Sequence, residues 1–402
     1  MKKDTPVVHH LKDYQTPQFD IVSVFLEFDL KPENTNVTNV MQVKNLNHAS
    51  LMQLDGEDLA LKSILIDGVD ITQKCEQTAE TLQIPTAGLD TFELNITTSV
   101  DPQGNTALEG LYRTSGNYCT QCEAEGFRKI TYFLDRPDVL TLFTTKIIAD
   151  KSDNSVMLLN GNLIESGELE NNRHYAVWQD PFKKPCYLFA LVAGNLECVQ
   201  DTYRTLDNRD IDLRIYVEPK NIDKCDHAMD SLIKSMKWDE ERFGLIYDLD
   251  IYMIVAVDDF NMGAMENKGL NIFNSAYVLA NEDTATDANF MGIQRVIAHE
   301  YFHNWTGNRI TCRDWFQLTL KEGLTVFRDK CFSADFNSTI LLMITFVLIS
   351  WVCLSFNIYL WSDTSFKVQR DMRQEFYEII QKNSMALFDM NDFGVFFSIG
   401  IN

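Results

Sequence analysis

His299-Glu300-Tyr301-Phe302-His303 and, nineteen residues past the second histidine, Leu320-Lys321-Glu322-Gly323-Leu324 decide how the second half of the chain is built. On a helix, residues four apart share a face, so His299 and His303 can aim their imidazoles at one point. Glu300 falls about 100° round from His299, close to an ion held by the histidines without binding it. Two imidazoles and the Glu322 carboxylate supply three ligands of a tetrahedral Zn2+ and leave the fourth position to water. Closed structural sites use all four positions, so this donor set predicts one zinc with reactive water. The segment from Ala288 to Trp305 is expected to be the helix carrying both histidines, and Leu318 to Phe327 the helix carrying Glu322.

Outward from that stretch, Tyr252 to Val257 reads as a buried strand and Asn271 to Leu279 as another. Asp226 is expected to cap a helix with Met229, Leu232, Ile233, Met236 and Phe243 at helical spacing, ended by Gly244. Strands followed by paired helices predict an α+β lobe over residues 201–335. Residues 1–200 read differently. Short β-branched and aromatic runs, such as Ile21 to Phe28 and Tyr187 to Gly194, are punctuated by Asp55-Gly56, Asp67-Gly68 and Asp101-Pro102-Gln103-Gly104 at turn positions. They predict an all-β saddle or sandwich.

The remaining residues, 336–402, form an atypical tail. No charged residue occurs from Phe336 to Ser362. Ile340 to Trp361 is a 22-residue, mostly apolar run, about 33 Å long if helical and so able to span a bilayer. Lys330 and Lys367 flank it and give no orientation. A membrane anchor and a segment from an altered reading frame are both compatible with this pattern.

Bulk properties narrow the partners. A chain of 402 residues exceeds a single core and implies two or three domains. Hydrophobic residues at 45% with 23% charged indicate a globular protein. A formal net charge of −23 disfavours nucleic acid and anionic membrane surfaces and favours cationic ligands such as peptides with a free amine. No apolar run follows Met1-Lys2-Lys3-Asp4-Thr5-Pro6, so no signal peptide is expected. The nine cysteines are scattered without a framework, which predicts reduced thiols and a cytoplasmic location. Cys119-Thr120-Gln121-Cys122 lacks the second pair of a zinc ribbon.

Gly263-Ala264-Met265-Glu266-Asn267, followed by H-E-x-x-H and the distant Glu322, resembles the gluzincin aminopeptidases. The likeness is greatest to the bacterial-type aminopeptidase N (alanyl aminopeptidase) branch. It runs from near the N-terminus to about Ser333 and includes Tyr118-Cys119-Thr120-Gln121-Cys122-Glu123-Ala124-Glu125-Gly126-Phe127. The resemblance implies an N-terminal β saddle, a thermolysin-like zinc-metallopeptidase domain that is incomplete here, and further domains beyond it. It implies a monomeric zinc aminopeptidase of broad specificity, with His299, His303 and Glu322 as ligands and Glu300 as base. Glu266 and Glu123 would grip the substrate's α-ammonium with help from Gln121. Gly263 and Ala264 would pair with the substrate backbone, Met262 would cushion its first side chain, and Met265 and Asn267 complete the segment. Ala264 disfavours the epoxide-hydrolysing relatives, which carry Gly-Gly-Met-Glu-Asn. Near the distance where the family places its oxyanion tyrosine stand Gln381, Lys382 and Asn383, and the role passes to neither Tyr359 nor Tyr377. Alternatives are a remnant that binds zinc and peptide N-termini without turnover, and a thermolysin-type endopeptidase, which the Gly-Ala-Met-Glu-Asn segment argues against.

Overall fold

The computed structural model describes residues 8–336 and 339–382. The N-terminal lysines and residues 383–402, Asn383 included, lie outside the described residues. By contacts the chain divides into two units, Met1–Ser333 and Ala334–Asn402.

In the first unit an eight-stranded sheet runs, in spatial order, Asn162–Leu169, Arg173–Gln179, Leu142–Asp150, Phe19–Asp29, Thr35–Asn45, Thr91–Val100, Ala60–Ile66 and Val69–Asp70. The Phe19–Asp29 and Leu142–Asp150 strands pair in parallel and the other neighbours antiparallel. The last hairpin closes through Asp67-Gly68, both at positive φ, the conformation that a two-residue loop needs to match strand twist. A four-stranded sheet, Val156–Leu159, Leu191–Gly194, Asn117–Gln121 and Gly110–Thr114, packs on the same core. Phe127 lies at the centre of that core, with Phe133, Phe143 and Phe189 at ring distances of 5.0, 6.1 and 5.3 Å. The β-rich N-terminal part therefore agrees with the alternating pattern. One strand is shorter than expected: Cys186–Leu188 is a 3-10 turn, and only Leu191–Gly194 of the Tyr187 to Gly194 run pairs.

The mixed α+β part is built on a five-stranded sheet, ordered Glu197–Arg204, Asp210–Val217, Ile251–Val257, Leu270–Asn274 and Ala264–Met265. Its central strand is apolar on both faces because both are covered. Met253, Val255 and Val257 join the β-domain core, while Tyr252, Ile254 and Ala256 face the helices. One sheet thus ties two cores together, and the first sheet strand already begins at Glu197.

The helices are α1 (Asp226–Phe243), α2 (Asp287–Phe302) and α3 (Leu318–Phe336). Asp226 is the first residue of α1 and not its cap; Cys225 holds the cap position without a side-chain bond. Gly244 ends α1 in the left-handed conformation, as expected. The second expected strand stops at Asn274, whose side chain accepts from Ala276 N and starts a 3-10 turn. Helix α2 ends at Phe302 and not Trp305, so His303 sits at its C-cap, still with helical φ of −60°. Ile293, Ile297 and Tyr301, four apart, bury one face of α2, and Phe302 meets Trp238 of α1 at 5.1 Å. Helix α3 runs nine residues beyond the expected Phe327.

Thr286 and Asn289 form a capping box at the start of α2: Thr286 N donates to Asn289 Oδ1 at 2.9 Å, and Asn289 N to Thr286 Oγ1 at 3.4 Å. Thr286→Ala is expected to lower unfolding stability by about 1 kcal/mol, as measured by denaturant titration. An unchanged midpoint would mean the box does not fix the helix that carries the histidines.

The second unit is described through α4 (Thr339–Lys382). Its span Phe346–Glu375 is long and apolar enough to cross a membrane, by length and composition. The side chains at 339–345, where the apolar run begins, lie outside the described residues, as does that of Tyr377.

Candidate active site

Helix α2 presents His299 and His303, and the second turn of α3 presents Glu322. His299 Nε2 and His303 Nε2 lie 3.0 Å apart, and Glu322 Oε2 lies 3.3 and 3.4 Å from them. Three ligands held tetrahedrally at about 2.0–2.2 Å from one zinc stand about 3.4 Å from each other. The three donor atoms therefore fit zinc as they stand.

The far side of each imidazole is fixed. His299 Nδ1 lies 2.9 Å from Asp329 Oδ2, and His303 Nδ1 lies 2.8 Å from Thr306 O and 3.2 Å from Thr325 Oγ1. Both rings are thereby oriented with Nε2 toward the common point, the arrangement that outer partners impose at metal centres. Burial pulls the His299 imidazolium down, but Asp329 and Glu322 outweigh it and raise the group to about 10. Glu322 goes the other way: burial would raise it, and both histidines and Lys321 hold it far below its ordinary value. Gly307 allows this packing, since a Cβ there would come within 2.9 Å of His303 Nδ1.

Sequence reasoning missed Asp329, although it follows Glu322 by seven residues and so shares its helix face. Asp329→Asn is expected to weaken zinc binding by about 10- to 100-fold, the usual effect of losing a carboxylate behind a ligand histidine. Competition against a fluorescent chelator reads this directly, and an unchanged affinity would rule out an orienting role.

Glu300, buried beside the ligands, is the carboxylate nearest in sequence that does not join the triad. Burial first, and then Glu266 and Glu322 against the pull of His299, raise it to about 8.

Glu123, from the loop after the Asn117–Gln121 strand, and Glu266, after the Ala264–Met265 edge strand, meet next to the triad. One oxygen from each of Glu123, Glu266 and Glu322 falls within 4.8 Å of the others. Between them stands a residue that sequence reasoning passed over, Lys321. Its ammonium is 2.6 Å from Glu123 Oε1 and 3.2 Å from Glu322 Oε1, and it hydrogen-bonds Glu266 Oε1. Its position one residue before a ligand was the only available signal. Burial would lower Lys321, and the facing carboxylates raise it well above an ordinary lysine. Burial raises Glu123 to about 7, with Glu266 acting in the same sense and Lys321 against it. Glu266 stays below the ordinary range because Lys321 and His303 overcome its burial.

The other expected residues fall around this pair. Gln121 is buried, and its Nε2 donates to Met262 Sδ at 3.1 Å. Met262 itself is half-exposed. Gly263 already accepts from Asn274 N at 3.0 Å, and Ala264 and Met265 pair with Phe273 and Ile272 on one side only, leaving a sheet edge on the other. Met265 packs in the core. Asn267 is buried with both side-chain amide atoms unpartnered, and Asn308, also missed, donates to Glu266 O at 2.9 Å. Cys119 and Cys122 are buried free thiols, raised by that burial, Cys119 to about 12.

Comparison with known proteins bears on this geometry. A model described as the peptidase M1 N-terminal domain matches residues 13–188, and one described as the peptidase family M1 domain matches residues 227–385. The second match extends past Ser333, where likeness by motif stopped. Aminopeptidase N of Escherichia coli K12 is 57% identical over 336 residues, 83% of this chain and 38% of that protein. Aminopeptidase N of Haemophilus influenzae is 56% identical over 330 residues, 81% of this chain and 38% of its own length. A crystal structure of Legionella pneumophila aminopeptidase A in complex with aspartic acid superposes with a TM-score of 0.79 at 38% identity, covering 82% of this chain and 39% of that one. The chain thus spans under two fifths of the length of these relatives. With both family domains matched in order around the histidine pair of α2 and the glutamate of α3, the chain belongs to peptidase family M1.

Proposed function

We propose that this chain acts as a zinc-dependent aminopeptidase that removes N-terminal residues from peptides, with one zinc bound by His299, His303 and Glu322. The observation that carries this is the pairing of a three-donor metal triad with two carboxylates, Glu123 and Glu266, directly beside it. When bound, zinc acidifies a water and polarises the scissile carbonyl. Glu300 receives the water's proton at its carboxylate and returns it to the leaving amine. Glu123 and Glu266 accept charge-assisted hydrogen bonds from the substrate's α-ammonium. Lys321 engages Oε1 of each and leaves Oε2 of each out of those ion pairs. An internal peptide segment, with no ammonium to offer, would leave two buried carboxylates sharing the single Lys321 cation, which selects for free N-termini. The free side of the Ala264–Met265 edge strand suits an extended substrate backbone. A cytoplasmic setting is supported by the nine cysteines, all unpaired.

The test is release of chromophore from alanyl and arginyl anilides, with and without chelator. Zinc-dependent turnover is expected. Its absence, with zinc and free amino acids still bound, would leave a non-catalytic binder, and cleavage of N-acetylated peptides would indicate an endopeptidase.

A further inference from the structure

Met262 is linked through Gln121 to Glu123, and the aminopeptidase reading sets it against the substrate's first side chain. It is 44% exposed, while Met41, Met52, Met236, Met253 and Met265 are buried. Among the described methionines only Met291 and Met372 are similarly open. The Met262 thioether accepts a hydrogen bond from Gln121 Nε2 at 3.1 Å, and the same nitrogen reaches Glu123 O at 3.4 Å. Gln121 Oε1 is shielded from solvent and has no hydrogen-bond partner. That orphaned acceptor, beside two carboxylates, awaits a ligand N–H. A thioether is a weak acceptor, so it holds the amide loosely and lets it adjust as a ligand enters.

We propose that Met262 is an oxidation-sensitive specificity residue: a peroxide converts its thioether to the sulfoxide, which captures the Gln121 amide and makes the floor of the side-chain pocket polar. The proposal rests on the aminopeptidase reading above. In the chemical step a sulfur lone pair attacks one peroxide oxygen, the O–O bond breaks, and the other oxygen leaves as water. Sulfur loses two electrons and hydrogen peroxide gains them, and methionine sulfoxide reductases reverse the change. The sulfoxide oxygen is a far stronger acceptor than the thioether, so the Gln121 N–H stays on it. A large apolar first side chain must then cover a polar oxygen, whereas a methyl group need not. Zinc ligands and Glu300 are untouched, so the change falls on binding and discriminates by side-chain size.

The experiment treats the zinc-loaded chain with hydrogen peroxide and maps sulfoxides by peptide mass spectrometry. KM and kcat are then measured on phenylalanyl and alanyl anilides, and L-phenylalaninamide and L-alaninamide are titrated by calorimetry. Oxidation of Met262 is expected to raise KM and Kd for the phenylalanyl ligands about tenfold, the scale of burying one polar atom poorly paired. The alanyl values should move less than about twofold on the same reasoning, with kcat unchanged. Methionine sulfoxide reductase should restore the original values. Met262→Leu, compared with its own untreated sample, should show no peroxide shift, and Met291→Leu should shift like the parent. An unmodified Met262 in a sample where Met291 and Met372 are converted would overturn the proposal. So would equal shifts for both ligands, or a shift that persists in Met262→Leu. Absence of anilide hydrolysis in the untreated chain would remove the aminopeptidase reading alone, and the calorimetric shift would then decide the role of Met262.

Discussion

Glu300→Gln is expected to lower kcat on an alanyl anilide by about 10²- to 10⁴-fold, the contribution of a positioned general acid–base group. Glutamine keeps the shape and hydrogen-bonding reach of the side chain but cannot carry the proton between water and leaving amine. Glu300 is buried on the helix that holds both histidines, and its environment raises the carboxyl to about 8. A bound zinc dication would act in the opposite sense and favour the carboxylate, the form that accepts the water's proton. Because Glu300 is not one of the three ligand donors, zinc content by elemental analysis should not change. A kcat within about threefold of the parent, with zinc retained, would exclude Glu300 as the base on the same scale.

Glu266→Ala should be the most damaging change to the amine anchor. The carboxylate holds the buried ammonium of Lys321, and removing one partner of a buried ion pair costs about 3–5 kcal/mol because the other charge is left uncompensated. Glu123 and Glu322 remain near Lys321 and place the expected loss of stability toward the lower end of that range. Independently, kcat/KM should fall by about 10- to 150-fold, since a charged hydrogen bond to the α-ammonium contributes about 1.5–3 kcal/mol. Urea denaturation separates the two effects from kinetics on the folded fraction. The pH dependence follows from the sign of the shift. Glu266 is held below its unfolded value, so its stabilisation is fully present above the ordinary glutamate range and is lost as pH falls through the depressed folded value. Glu266→Gln should remove this acid limb, and an unchanged acid profile would show that the carboxylate contributes nothing to folding.

How far the sequence reached depends on the range of the interaction concerned. Helix α1 and its Gly244 terminus, the central strand near Tyr252–Val257 and the alternating N-terminal strands were legible because each is set by local periodicity and turn chemistry. The ends of elements were less so. Asn274 diverts its strand through its own side chain, and α3 continues past Phe327 because its later residues Arg328, Asp329 and Phe332 are themselves buried.

The sequence alone singled out His299, His303 and Glu322, the three donors that the fold brings together. The four-residue spacing of His299 and His303 is a property of one helix, and Glu322 stands nineteen residues beyond, past Asp314, at the spacing of the resembled family. It could not determine what surrounds them. Asp329 behind His299, Thr306 and Thr325 behind His303, and Lys321 between Glu123 and Glu266 act across different elements. Glu123 and Lys321 are 198 positions apart, and no local rule reaches that far. Only the five-stranded sheet decides their meeting. Its central strand is buried on both faces and carries the β-domain core on one side and α1 and α2 on the other, so residues from distant segments converge on one buried charge cluster. Low dielectric and close approach then set the protonation of those groups, which no single segment encodes.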